Sequence, residues 1–160
     1  MYRFIPRIAA ASLLVVAGAL APATAEDVPF KGVFSGRAIS AAPTDEAGVL
    51  LITTAGGGTA THLGNFIMVS PHLANLLTLE VAGTQSFTAA NGDTLRASFT
   101  GQLSPIAGGL LAARIDCAIT GGTGRFAGAG GGYTFDIVFD PATLSDVSVI
   151  NGTIELPDGD

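Results

Sequence analysis

The sequence predicts an all-β domain, a closed antiparallel β-barrel of about eight strands and nine at most. Three observations carry this. Short segments alternate apolar and polar residues, and no helical period of useful length appears. Gly, Asn, Asp and Pro separate the segments. The chain holds 22 glycines, mostly within or beside those segments, where a residue without Cβ lets a sheet bend sharply. An open sheet of this many strands leaves two unpaired edges, and closure removes them.

The segments follow in order. Residues 1–25 read as a secretory signal peptide: Arg3 and Arg7, an apolar run from Ile8 to Leu20, then Ala23 and Ala25 in an A-x-A pattern. The run is shorter than the roughly 20 residues a membrane span needs. Cleavage after Ala25 leaves one domain over residues 26–160, and the expected location is outside the cytoplasm, periplasmic or secreted. The signal and the Ala/Gly-rich composition look bacterial, so Asn151-Gly152-Thr153 is read as a chance match to a glycosylation acceptor. Phe30 to Ala38 is the first strand, with Phe30, Gly32, Phe34 and Gly36 on one face. Val49 to Thr54 is a short strand ended by "AGGGT". Thr59 to Ser70 is a longer one closed by Pro71, because proline cannot donate to a ladder. Leu76 to Val81 follows. Gln85 to Ala89 and Thr94 to Thr100 form a hairpin around Asn91-Gly92. Leu111 to Ile119 places Leu111, Ala113, Ile115, Cys117 and Ile119 inward against Arg114 and Asp116 outward. Tyr133 to Asp140 places Tyr133, Phe135, Ile137 and Phe139 inward. Val147 to Leu156 is the last strand, and "PDGD" is a frayed tail. Tyr133, Phe135, Phe139, Phe34, Phe66 and Phe99 are the expected large core residues.

Charge narrows the partners. The whole chain carries a formal net charge of −6, and loss of the two signal arginines makes it −8. Such a surface repels nucleic acid and anionic lipid. Neither nucleic acid nor, after signal cleavage, a membrane is expected as a partner. Cys117 is the single cysteine, so no internal disulfide forms, and its strand face makes it a buried thiol. Stability then rests on a large apolar core or on association into a dimer or trimer.

The stretch "ITGGTGRFAGAGGGYTF" (Ile119 to Phe135) tests a phosphate-binding reading. A Walker loop needs lysine and a following helix, and a dinucleotide loop needs G-x-G-x-x-G before a helix. Here no lysine is present, Ala127 interrupts the pattern and a strand follows. The stretch is a structural turn at Gly121, Gly122 and Gly124, with Arg125 pinned by a salt bridge or a carbonyl contact, and an anion site there is the lesser alternative. No cofactor is expected. Two histidines and one cysteine at irregular distances make no metal site. Asp136 and Asp140 share a strand face roughly 13 Å apart, too far for paired-carboxylate glycoside chemistry.

"ITGGTGRFAGAGGGY" resembles the glycine-rich strand–turn–strand of the allene oxide cyclase and dirigent barrels, of calycin type, in which a G-G-T-G-[KR]-F core occurs. "GTATHLGNF" (Gly58 to Phe66) and "AANGDTLRASFTG" (Ala89 to Gly101) resemble stretches of exported bacterial proteins of that group. The resemblance implies an eight-stranded antiparallel barrel, trimeric in many plant members, acting on or orienting small apolar molecules within it. The acidic residues those enzymes use have no matching positions here.

His62 is the candidate proton carrier, provided that it points into the lumen alongside Phe66 and Met68. Those three with Tyr133 and Phe135 are the candidate ligand-lining residues. His72, after Pro71, is expected in a solvated loop. The reading adopted is an exported barrel that binds a small apolar ligand or works by association. An isomerase or cyclase of the allene oxide cyclase type is the first alternative, and a filled barrel serving assembly is the second. The last strand, apolar on both faces around Val147 and Val149, suggests a subunit contact.

Overall fold

A computed structural model describes residues 26–157; residues 1–25, read as a signal peptide, and residues 158–160 of the expected tail lie outside the described residues. The chain forms a closed antiparallel barrel. Its strands are β1 (Glu26–Pro43), β2 (Val49–Ala60), β3 (Gly64–Asn75), β4 (Glu80–Ala89), β5 (Thr94–Gln102), the two-residue β6 (Ser104–Pro105), β7 (Leu111–Gly122), β8 (Gly130–Asp140) and β9 (Ser145–Leu156). Each long strand pairs with its sequence neighbours, β5 with β7 across β6. The first and last strands zip together from Glu26–Leu156 to Arg37–Ser145. Eight long strands thus make the wall, and β6 extends one margin of β7.

Inward-facing residues alternate as the period-2 pattern predicts. Leu95, Ala97 and Phe99 of β5 and Ile115, Cys117 and Ile119 of β7 are buried, while Arg96, Arg114 and Asp116 are exposed. The β4–β5 hairpin turns through Ala90, Asn91 and Gly92. Only Gly92 takes a positive φ, 88°, and the Gly92 N–H donates to the Ala89 carbonyl at 2.9 Å. That is a three-residue loop with a left-handed glycine.

Four sequence-based boundaries are corrected. The segment Thr59 to Ser70 is not one strand. It turns at Thr61–Leu63, where Thr61 Oγ1 donates to the Pro29 carbonyl at 2.8 Å and accepts from the Lys31 N–H at 2.9 Å. The "AGGGT" stretch does not end a strand but lies inside β2. A Cβ at Gly58 would strike the Val33 carbonyl and the Phe66 ring, so β1 and β2 approach there only because the side chain is absent. Pro71 does not close β3, which continues to Asn75. Its missing N–H is tolerated because the β3–β4 ladder is unpaired at Ser70 and Pro71. Leu76 to Leu79 is a turn, with β4 starting at Glu80. There Asn75 Oδ1 accepts the N–H groups of Leu77 and Thr78, a local bond that competes with a ladder.

The two ends of the barrel differ. At one end the aromatic rings interlock: Phe30 meets Tyr133 at 5.2 Å, Phe66 meets Phe87 at 5.2 Å, and Phe34 meets Phe135 at 5.8 Å between centroids. The glycine-rich stretch closes this end. After β7 the chain makes a 3-10 turn over Gly124–Phe126, which folds Phe126 back until it is fully buried. Gly124 takes φ 57° against the Asp93 carboxylate, a position where any Cβ is both strained and obstructed. Arg125 lies 3.7 Å from Asp93 Oδ2 and stacks 5.0 Å from the centre of the Phe126 ring. Gly121 and Gly122 complete the bend, and Phe126 Cβ lies over Gly122. The stretch therefore builds an end plug.

Phe126→Ala is expected to cost about 3 kcal/mol or more, because it opens a cavity in the closed end. Arg125→Ala, at an exposed pair, is expected to cost under about 1 kcal/mol. Urea denaturation of the two variants measures both; equal costs would show that the ring is not what seals the end.

Candidate functional site: the open half of the lumen

The opposite half of the barrel is not filled. A cavity of about 350 Å³ opens there, bounded by residues of all eight long strands and by the turns after β3, β5 and β8. Its size is in the usual range for small-molecule pockets. The cause lies in the side chains. On β1 and β3, where the closed half has Phe30, Phe34 and Phe66, this half has Ala38, Ala41, Ser70 and Ala74, and β2 adds Thr54. A β-bulge between Ala38 and Ser40 shifts the β1–β2 register. It restores an inward position at Ala41, so two alanines of β1 line the cavity. The wall is otherwise apolar, with Leu50, Ile52, Met68, Phe99, Ile115, Phe135 and Phe139 contributing most of it.

Of the candidate ligand-lining residues, Met68 and Phe135 line this cavity. Phe66 and Tyr133 are buried in the aromatic half, below the cavity. Tyr133 contacts the cavity wall indirectly, because its hydroxyl donates a hydrogen bond to Gln85 Oε1, and Gln85 lines the cavity. His62 does not meet the condition set for it. It sits exposed in the β2–β3 turn at φ 66°, at the closed end. The turn at Thr61–Leu63 takes it out of the alternation that the sequence seemed to continue.

His72 is the lumenal histidine. Extension of β3 beyond Pro71 carries it to an inward position, half-buried, 6.0 Å from the Phe99 ring centre. Its Nδ1 lies 3.1 Å from the Ser70 carbonyl. A carbonyl only accepts, so Nδ1 carries the proton and neutral His72 presents Nε2 as an acceptor. Burial pushes its pKa below the ordinary histidine value, partly opposed by the Ser70 bond.

Asp146 is the second polar group that sequence reading missed. It lies one residue before Val147, where the last strand was expected to start. It is 8 % exposed and lines the cavity beside Ser148, whose hydroxyl donates to Asp146 Oδ2 at 3.3 Å. Burial raises its carboxyl above the ordinary aspartate value, with the Ser148 hydroxyl opposing. The signal for it was the inward parity of Asp146, Ser148 and Ile150, visible only once the strand starts at Ser145.

Three other chemistry-bearing groups have structural settings. Asp136 makes a two-pronged pair with Arg114 on the outer wall, at 2.7 and 3.0 Å. Asp140 holds the β8–β9 turn by accepting from the Ala142 N–H and the Thr143 hydroxyl. Cys117 is buried, and desolvation pushes its thiol up to about 12, which leaves it protonated and unreactive at neutral pH. Among the described residues, no group of three or more His, Cys, Asp and Glu could hold a metal ion. No family model, curated protein or solved structure matches the chain.

The two cavity groups respond oppositely to pH. Asp146 is held above its unfolded pKa, so its contribution favours folding at low pH and is lost as pH rises through the folded value. Asp146→Asn is therefore expected to raise Tm at pH 7, with the gain shrinking toward pH 3.8 and below. His72 is held below 6.5, so its contribution is present above that value and is lost as pH falls. The imidazole signals of His72, followed by NMR, are expected to titrate below pH 6.5; a midpoint above it contradicts the placement.

Proposed function

We propose that the protein is an exported barrel that binds a small apolar molecule in the open half of its lumen. The observation that supports this most is the division of the lumen. One half is packed with interlocked aromatic rings and sealed by Phe126, and the other leaves about 350 Å³ with an apolar wall. Burial of an apolar ligand against such a wall contributes roughly 25 cal/mol per Å² removed from water. His72 and Gln85 supply an acceptor and a donor to orient one polar end. Kinship with the allene oxide cyclase and dirigent barrels rests on the three glycine-bearing stretches and on the closed eight-stranded wall. A cyclase or isomerase activity finds less support, since His62 lies outside the cavity and the shared architecture alone does not carry chemistry.

A second reading, association with a copy of itself, has its own support. Outside the barrel, Val33, Val138, Val147 and Val149 border an apolar groove of about 400 Å³ floored at Gly57 and Gly58. Ile67, paired in register with Gly57, stands beside it and is 62 % exposed. Groove and ridge lie on one face, as a two-fold contact between identical surfaces requires.

Two measurements test these readings. Decanol, a neutral single-chain probe, is expected to bind one-to-one in calorimetry. Ala74→Phe, which fills the cavity, is expected to weaken binding at least about tenfold, or 1.4 kcal/mol; unchanged binding in that variant removes the lumen as the site. Native mass spectrometry is expected to show an oligomer that Ile67→Asp converts to monomer, and a monomeric parent protein ends the second reading.

A further inference from the structure

The reading of the cavity as a ligand site leaves one of its groups unexplained, and the following rests on that reading. Asp146 is a carboxyl in an apolar wall. Among the described residues its side chain has one partner, the Ser148 hydroxyl at 3.3 Å, and no cation. Every described Lys and Arg side chain is elsewhere: Lys31, Arg37, Arg96, Arg114 and Arg125 are all exposed, and none lines the cavity. In the ladder Asp146 lies between Gly36 of β1 and Phe139 of β8, neither of which can compensate a charge. The other titratable group in the cavity wall is His72, a neutral acceptor at pH 7. An ionised carboxylate removed from water without a partner is costly. No buried polar side-chain atom among the described residues is without either a hydrogen-bond partner or some accessible surface. Asp146 Oδ1, which makes no described bond, therefore keeps some accessible surface, and the residue lines the cavity.

From this placement we infer that the cavity takes a cationic amphiphile: an apolar chain or ring system ending in an ammonium group, seated against Asp146. The ammonium supplies the counter-charge that the protein's own side chains do not. Its N–H donors suit the Asp146 carboxylate, and His72 Nε2 is a further acceptor elsewhere on the cavity wall. The same features disfavour fatty acids and other anionic lipids, whose head group would meet a carboxylate and no cation. A chain with a formal net charge of −6 also attracts a cation and repels an anion at long range.

The test compares decylamine, decanol and decanoate, three probes of matched chain and different head charge, by calorimetry at pH 7 with the protein as its own host produces it. Decylamine is expected to bind at least about tenfold more tightly than decanol, a difference of 1.4 kcal/mol, and decanoate least of all. Asp146→Asn is expected to abolish the amine's advantage while decanol binding persists. Ala74→Phe is expected to lose all three probes, which separates lumenal binding from attraction to the acidic surface. If decanol binds as tightly as decylamine, the cationic assignment is wrong and the lumenal reading stands. An advantage that survives in Asp146→Asn also overturns the assignment. If none of the probes binds, both readings fall together. The comparison in the unsubstituted protein decides the matter even if a variant does not fold.

Discussion

Closure of the sheet is the constraint from which the other properties follow. The ladder between β1 and β9, running from Glu26–Leu156 to Arg37–Ser145, joins the two ends of the chain. Without it the meander is an open sheet with two unpaired edges. With it, every second residue of eight strands is forced into one enclosed space, whose diameter is fixed by strand number and stagger. Side chains must then share that space, and their volumes decide whether it is core or cavity.

The protein solves this unevenly along the barrel axis. Rings from β1, β3, β4 and β8 interlock in the closed half, and Phe126 is folded in from the β7–β8 connection. Backbone approach there is made tight by glycines such as Gly58, whose hydrogen leaves room for Phe66. Toward the other end alanine, serine and threonine take several inward positions of β1, β2 and β3 among larger apolar side chains, and the bulge in β1 keeps two alanines facing in. Rigid packing below and open volume above are a single design: the aromatic half supplies the stability that the cavity half forgoes.

The cavity half also carries the polar residues that a purely structural lumen would omit. His72, Gln85 and Asp146 stand in an apolar wall, and burial displaces both titratable groups toward neutrality. Gln85 is held by Tyr133 from the packed half, so the core braces the site.

The sequence by itself determined the all-β class, the alternation along β5, β7 and β8, the Asn91-Gly92 hairpin, the burial of Cys117 and the strand that follows the glycine run. These are local properties, set by side-chain parity and by φ at single residues. The structure decided what depends on register between distant strands. Parity could not reveal that the chain turns at Thr61–Leu63, which moves His62 outside and leaves the lumenal role to His72 beyond a proline. Nor could it show that β9 begins early enough to bring Asp146 inward, or that Phe126 plugs one end. Met68 and Phe135 reach the cavity while Phe66 and Tyr133 pack beneath it. All four have inward parity; their height in the barrel differs, and height is set by the stagger of the closed sheet, which no single segment encodes.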